Sequence, residues 1–210
     1  LGADGIEIDI QRTSDNQLVV FHDINLSRLT GIKKYIFNCS LEELQTYKLG
    51  SMFFRLFSSE HIPTLDEVLN WANEQQYPVN IELKQSLLED PTVLATALLK
   101  MELPLNSHVS SFHEELLRLT KEIRPDIETA LIATRFLNWM TLGDLPHIDA
   151  VHASKKYYGR KYLKACDYVG KGVRFYGIKG NEPYLKNPHP AVKGWITDYP
   201  AKVRKQQLKK

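Results

Sequence analysis

Glu7 and Asp9 stand two residues apart in a run where apolar and acidic residues alternate, Gly-Ile-Glu-Ile-Asp-Ile. Alternation of period two is a strand pattern, so Ile6, Ile8 and Ile10 turn to one face and both carboxylates to the other, with Cα atoms roughly 6.6 Å apart. Two like charges on one sheet face are costly unless something positive lies between them. A hard divalent cation, Mg2+ or Ca2+, suits such oxygens at about 2.0–2.6 Å; an exposed acidic pair, or one bridged to Lys or Arg, fits the same residues. Asn80-Ile-Glu-Leu-Lys84 repeats the device, with Glu82 and Lys84 on the face opposite Ile81 and Leu83. A third carboxylate completes a single-ion set, and the ammonium beside it suits a phosphate oxygen; a Glu-x-Lys pair also satisfies itself as a salt bridge. His22 ends a second apolar strand and precedes Asp23, which either orients the imidazole or opens the next turn. At a strand end, an imidazole with an unperturbed pKa of about 6.5 is a candidate general acid or base.

Elements that would carry these residues follow from periodicity and caps. Strands are expected over 6–10, 18–22, 79–84, 108–112, 128–133, 150–153, 173–178 and 194–197. Ser40 and Glu43 have capping-box spacing for a short helix that Gly50 can end, and Thr64 caps a helix over 65–75 whose Leu65, Val68, Leu69 and Ala72 share one face. Further helices are expected over 91–100, 114–123, 137–142 and 156–169. Strands separated by helices of this length imply βαβ units and a parallel sheet. No linker interrupts residues 1–210, so one domain is expected, and without a Gly-rich nucleotide loop a (β/α)8 barrel is favoured over a doubly wound sheet.

The 210 residues carry 27 Lys+Arg against 25 Asp+Glu, a net charge of +2, and 43% are hydrophobic. That profile describes a globular chain and excludes general disorder. It also supplies no global field for polyanions, so no nucleic-acid partner is expected. No run of 18 apolar residues offers a spanning helix. Cys39 and Cys166 lie far apart, without zinc-ligand or C-x-x-C spacing, and read as ordinary buried thiols. Unpaired cysteines on a short barrel point to the cytoplasm.

Taken in order, Gly-Ala-Asp-Gly-Ile-Glu7-Ile-Asp9-Ile, Leu-Val-Val-Phe-His22-Asp23, Ile62-Pro-Thr-Leu-Asp-Glu67, Asn80-Ile-Glu82-Leu-Lys84, Val109-Ser-Ser-Phe112 and Ile196-Thr-Asp-Tyr-Pro200 resemble the glycerophosphodiester phosphodiesterase family. Each motif is weak alone; six in one order across the chain are specific. The resemblance implies a (β/α)8 TIM-type barrel that uses one divalent cation, Mg2+ or Ca2+, to hydrolyse a small-molecule glycerophosphodiester to glycerol 3-phosphate and an alcohol. It assigns Glu7, Asp9 and Glu82 as metal ligands and His22 as the second of two catalytic histidines. Lys84 becomes the phosphate-side lysine, and Phe112 an aromatic lining the cleft. Tyr176 stands in the penultimate strand where the family has Trp-Thr-Val-Asn; this chain has Tyr-Gly-Ile-Lys there, keeping an aromatic and losing the polar groups.

The family's opening His-Arg strand and Pro-Glu-Asn-Thr helix have no counterpart downstream of Leu1. A chain that starts on a strand is therefore expected to lack the first βα unit, about 30 residues, and to hold metal while turning over little. Two rivals accompany this reading. One is a catalytically inactive metal-binding family member. The other is a lipid-acting phosphodiesterase at a membrane surface, suggested by the basic, Tyr-rich residues 155–162 and the basic tail 202–210; a solvated basic helix and a frayed C-terminal helix are the favoured reading of these, because an interfacial helix also needs a strong apolar face.

Overall fold

A computed structural model describes residues 2–50 and 60–209; Leu1, in the opening run, and Lys210, in the basic tail, lie outside the described residues. Two compact units result, one of Glu7–Ser107 and the other of the residues from His108 onward together with those before Glu7.

In the first unit the strand order is β2-β1-β3, comprising β1 (Ile6–Arg12), β2 (Leu18–Val20) and β3 (Val79–Leu83). β1 and β2 pair antiparallel, Ile10 opposite Val20 and Arg12 opposite Leu18. Their five-residue connection is too short for the crossover a parallel pair needs, so this pair departs from the expected βαβ rule. Thr13 Oγ1 accepts the Gln17 N–H at 2.8 Å, and Asn16 takes the left-handed conformation (φ 61°), which closes the turn. The second strand ends at Val20, two residues before His22.

Helix α1 (Ser27–Thr30) is a single turn, and α2 (Leu41–Gln45) begins at Ser40, whose hydroxyl accepts the Glu43 N–H at 3.2 Å. α2 stops well short of Gly50: the Thr46 hydroxyl and N–H both donate to the Glu43 carbonyl and tighten the last turn. The Glu43 carboxylate pairs with Lys34 and Tyr47 instead of returning to the cap. α3 (Leu65–Gln75) has the complete capping box, with Thr64 and Glu67 bonding reciprocally. Leu65, Leu69 and Ala72 are buried, as the periodicity requires. α4 (Pro91–Lys100) starts with Pro91 behind the Asp90 cap. A cluster of Val19, Phe21, Leu26, Ile36, Leu44 and Ile62 forms the core beside β2, with the Cys39 thiol fully buried in it.

The second unit holds β4 (His108–Ser111), β5 (Glu128–Ile132), β6 (Ala150–Ser154), β7 (Gly172–Tyr176) and β8 (Val192–Ile196), in that order and all parallel. α5 (Glu114–Ile123) connects β4 to β5, and α6 (Arg160–Val169) connects β6 to β7. The helix expected over 137–142 is a 3-10 segment, Trp139–Asp144, capped by Asn138. The basic helix expected over 156–169 divides at Gly159, the weakest helix former available there, into a 3-10 turn and α6. α7 (Pro200–Gln207) closes the chain. Cys166 is buried within α6, and burial pushes its thiol up to about 11.

His108 and His152 meet edge to face inside this unit, ring centroids 5.2 Å apart. His152 is 2% exposed, and its Nε2 has no hydrogen-bond partner among the described residues. Burial, with the charges of His108 and Arg174, holds the ring well below the usual imidazole range. The folded form therefore keeps His152 neutral where the unfolded chain takes up a proton, so stability present above pH ~6.5 is lost as pH falls, by up to about 1.4 kcal/mol per unit. Urea unfolding between pH 8 and 5 should show this decline, and His152→Leu should flatten it; superimposable profiles would contradict the assignment.

Candidate active site

Alternation along β1 buries Ile8 and Ile10, while Asp9 turns to the opposite face and is still 7% exposed. On β3, Ile81 and Leu83 are buried and Glu82 lies opposite them; Lys84 follows directly, its N–H donating to the Ile10 carbonyl at 3.2 Å. Strand pairing brings carboxylate oxygens of Glu7, Asp9 and Glu82 within 4.8 Å of one another. Lys84 Nζ sits 2.6 Å from Asp9 Oδ1 and 2.5 Å from Glu82 Oε1. Burial pushes the Glu82 carboxyl up, against the pull of Lys84. Burial also acts to lower Lys84, yet Asp9 and Glu82 hold its ammonium above the usual range.

Lys84 is shared by Asp9 and Glu82, one ammonium between two carboxylates, and Glu7 brings a third carboxylate beside them. Asp9 Oδ1 is buried and has the Lys84 ammonium, 2.6 Å away, as its ion-pair partner. Three hard carboxylate donors whose oxygens lie within 4.8 Å of one another fit a divalent cation.

His22 belongs to the same unit, and its ring is near enough for its charge to act on Glu82. Its side chain is 69% exposed, with Nδ1 2.9 Å from Asp23 Oδ1. Asp23 Oδ2 lies 2.6 Å from Arg28 Nε, and Arg28, followed by His22, holds the Asp23 carboxyl below the usual range against the effect of burial. Asp23 thus orients the imidazole and leaves Nε2 outward. Gln11, 1% exposed, donates its amide hydrogens to the Phe21 carbonyl at 2.6 Å and the Asp23 carbonyl at 2.8 Å, on either side of His22. The Phe21 N–H donates to the Asp9 carbonyl at 2.9 Å, tying the loop to β1.

Sequence reasoning passed over Gln11 and Arg28. A signal existed for Gln11, which continues the two-residue spacing of Glu7 and Asp9; Arg28 carried none. The second unit holds Phe112, exposed just after β4, and Tyr176, the last residue of β7, paired with Ile196 of β8.

Residues 1–201 match the model of the glycerophosphoryl diester phosphodiesterase family. The chain belongs to this family. A glycerophosphodiester phosphodiesterase of Bacillus altitudinis is 34% identical over 97% of the chain and 86% of its own length. One from Caldanaerobacter subterraneus subsp. tengcongensis is 35% identical over 63% of the chain and 56% of its own length. The structure of an Oleispira antarctica phosphodiesterase in complex with the product sn-glycerol-3-phosphate aligns over 98% of this chain and 85% of its own, with a TM-score of 0.83 and 25% identity. The family is one of phosphoric diester hydrolases, and the fold is α/β of the (β/α)8 barrel class, as expected. Among the described residues, no helix is long and apolar enough to cross a membrane.

The Gln11 clamp should be measurable. Gln11→Met keeps the volume and leaves the Phe21 and Asp23 carbonyls without their donor, which should cost about 1–3 kcal/mol by urea unfolding. Amide exchange in the His22 loop should quicken. Unchanged stability and exchange would mean that the loop is held without Gln11.

Proposed function

We propose that this family member hydrolyses glycerophosphodiesters to glycerol 3-phosphate and an alcohol. The observation that carries the reading is the convergence of Glu7, Asp9 and Glu82, with Lys84 paired to the last two; the product named for the Oleispira antarctica structure supports it. Glu7, Asp9 and Glu82 would hold one divalent cation, Mg2+ or Ca2+, which when bound neutralises phosphoryl charge and lowers the pKa of an attacking hydroxyl or water. Lys84 then places a second positive charge against a phosphate oxygen. His22, its Nδ1 2.9 Å from Asp23 Oδ1, presents Nε2 to protonate the leaving alkoxide. Phe112 and Tyr176 serve as apolar walls for the substrate, the role their motif positions imply.

Action on membrane lipids gains less support. Within the basic run 155–162, Tyr157 is buried and packs with Trp139 and Tyr162, while Tyr158 stacks on Tyr184 at 3.7 Å. These rings are engaged in packing rather than presented as an interfacial face.

Release of glycerol 3-phosphate from glycerophosphodiesters should cease on chelation and return with Mg2+ or Ca2+; hydrolysis that survives exhaustive chelation would overturn the metal assignment. Glu82→Gln should weaken ion binding in calorimetry, and a chain that binds the ion without any hydrolysis would be an inactive metal-binding member. In protein that also carries a His-Arg strand, His22→Ala should reduce kcat by about 10²–10⁴-fold with little change in KM, because proton donation acts only in the transition state. A raised KM with kcat intact would make His22 a substrate-holding residue.

A further inference from the structure

α7 places Lys202 and Lys205 three residues apart on one stripe of the helix, and Lys209 follows two residues past its end. The loop after β7 packs directly against this stripe: Gly180 (φ 85°) is so close that a Cβ there would stand 2.5 Å from the Lys202 Cβ and 2.8 Å from its backbone carbon. Beside this contact lies a cavity of about 380 Å³ lined by Lys179, Asn181, Tyr199, Lys202, Lys205 and Lys209. Its volume falls in the range of small-molecule sites.

None of the four lysines forms an ion pair among the described residues. Lys202 Nζ lies over the Tyr199 ring, 4.5 Å from its centroid. Glu182, the carboxylate next to the loop, is buried and already committed: it accepts the N–H groups of Lys179, Gly180 and Asn181 at 2.9–3.2 Å and pairs with Lys155 Nζ at 2.6 Å. Those bonds stiffen the loop wall and leave the ammonium charges of the cavity uncompensated. Like charges drawn together in this way repel, and an anion of two or more charges relieves the repulsion.

Ammonium groups on flexible stems suit phosphate as point charges, whereas planar bidentate recognition would call for arginine. A bilayer surface suits the site less well: among the described residues Val203 of α7 is turned into the core, and the large apolar side chains exposed beside it, Tyr199 and Leu208, cap opposite ends of the helix rather than forming the apolar face that interfacial helices bury. We propose that this cavity binds a free, multiply charged phosphate compound of the pyrophosphate or bisphosphate class. The proposal does not rest on the hydrolysis proposed for the carboxylate cluster.

Pyrophosphate titrated into the full chain in EDTA, which removes divalent ions, should bind one site with an affinity that falls as salt rises. Amide shifts should concentrate at 179–181 and 199–209. Lys202→Gln with Lys205→Gln should weaken binding about tenfold or more; both side chains are exposed, and the shift map of the unaltered chain tests the location even if the double variant folds poorly. Vesicles of phosphatidylcholine with and without phosphatidic acid separate the two sources of phosphate. No pyrophosphate binding at millimolar concentration, binding that survives the double substitution, shifts located elsewhere, or capture by phosphatidic acid vesicles alone would each overturn the proposal.

Discussion

An ammonium group lodged between carboxylates on neighbouring strands governs the first unit. Asp9 and Glu82 are drawn out of water by the packing of Ile8, Ile10, Ile81 and Leu83 on the other face of the same strands. Carboxylates in that position are tolerable only with a counter-charge, and Lys84 supplies one to both at once. Deleting one partner of a buried pair typically costs about 3–5 kcal/mol, since the other is left uncompensated. A chain could avoid that exposure to risk with apolar residues at the same positions. Retaining two buried acids on one lysine makes sense where the carboxylates have a use, which ties the energetics of the strand pair to the chemistry proposed for it.

The placement of His22 depends on the same two strands at one remove. β1 contributes Gln11 as well as the acids, and the amide of Gln11 fixes both peptide carbonyls flanking the histidine. Asp23 is fixed in turn by Arg28. An exposed imidazole is thereby held from behind by a buried amide and from the side by a carboxylate. The loop is irregular, yet its geometry derives from regular structure beneath it.

Where local signals agreed, the elements could be read directly. The bounds of α3, α4 and α5 follow from Thr64, Asp90 with Pro91, and the buried stripe of Leu116, Leu117 and Thr120. Legibility failed where a tertiary or non-periodic term decided. Thr46 shortened α2 through its hydroxyl, Gly159 split the basic helix, and residues 139–144 settled into a tighter turn. The carboxylates and Lys84 were visible because strand alternation places same-face residues at fixed spacing. The His22 clamp was hidden because it joins residues ten and twelve positions apart through backbone carbonyls, which no side-chain pattern encodes.

The two cysteines have a use that follows from where they are buried. Cys39 sits in the core beside β2 and Cys166 within α6, so each compact unit contains one thiol and neither can reach reagent while its surroundings stay closed. Burial pushes both thiols up, which further suppresses the reactive thiolate. The native chain thus carries a pair of silent labels, and the order in which an alkylating reagent marks them under mild denaturant reports which half of the molecule opens first.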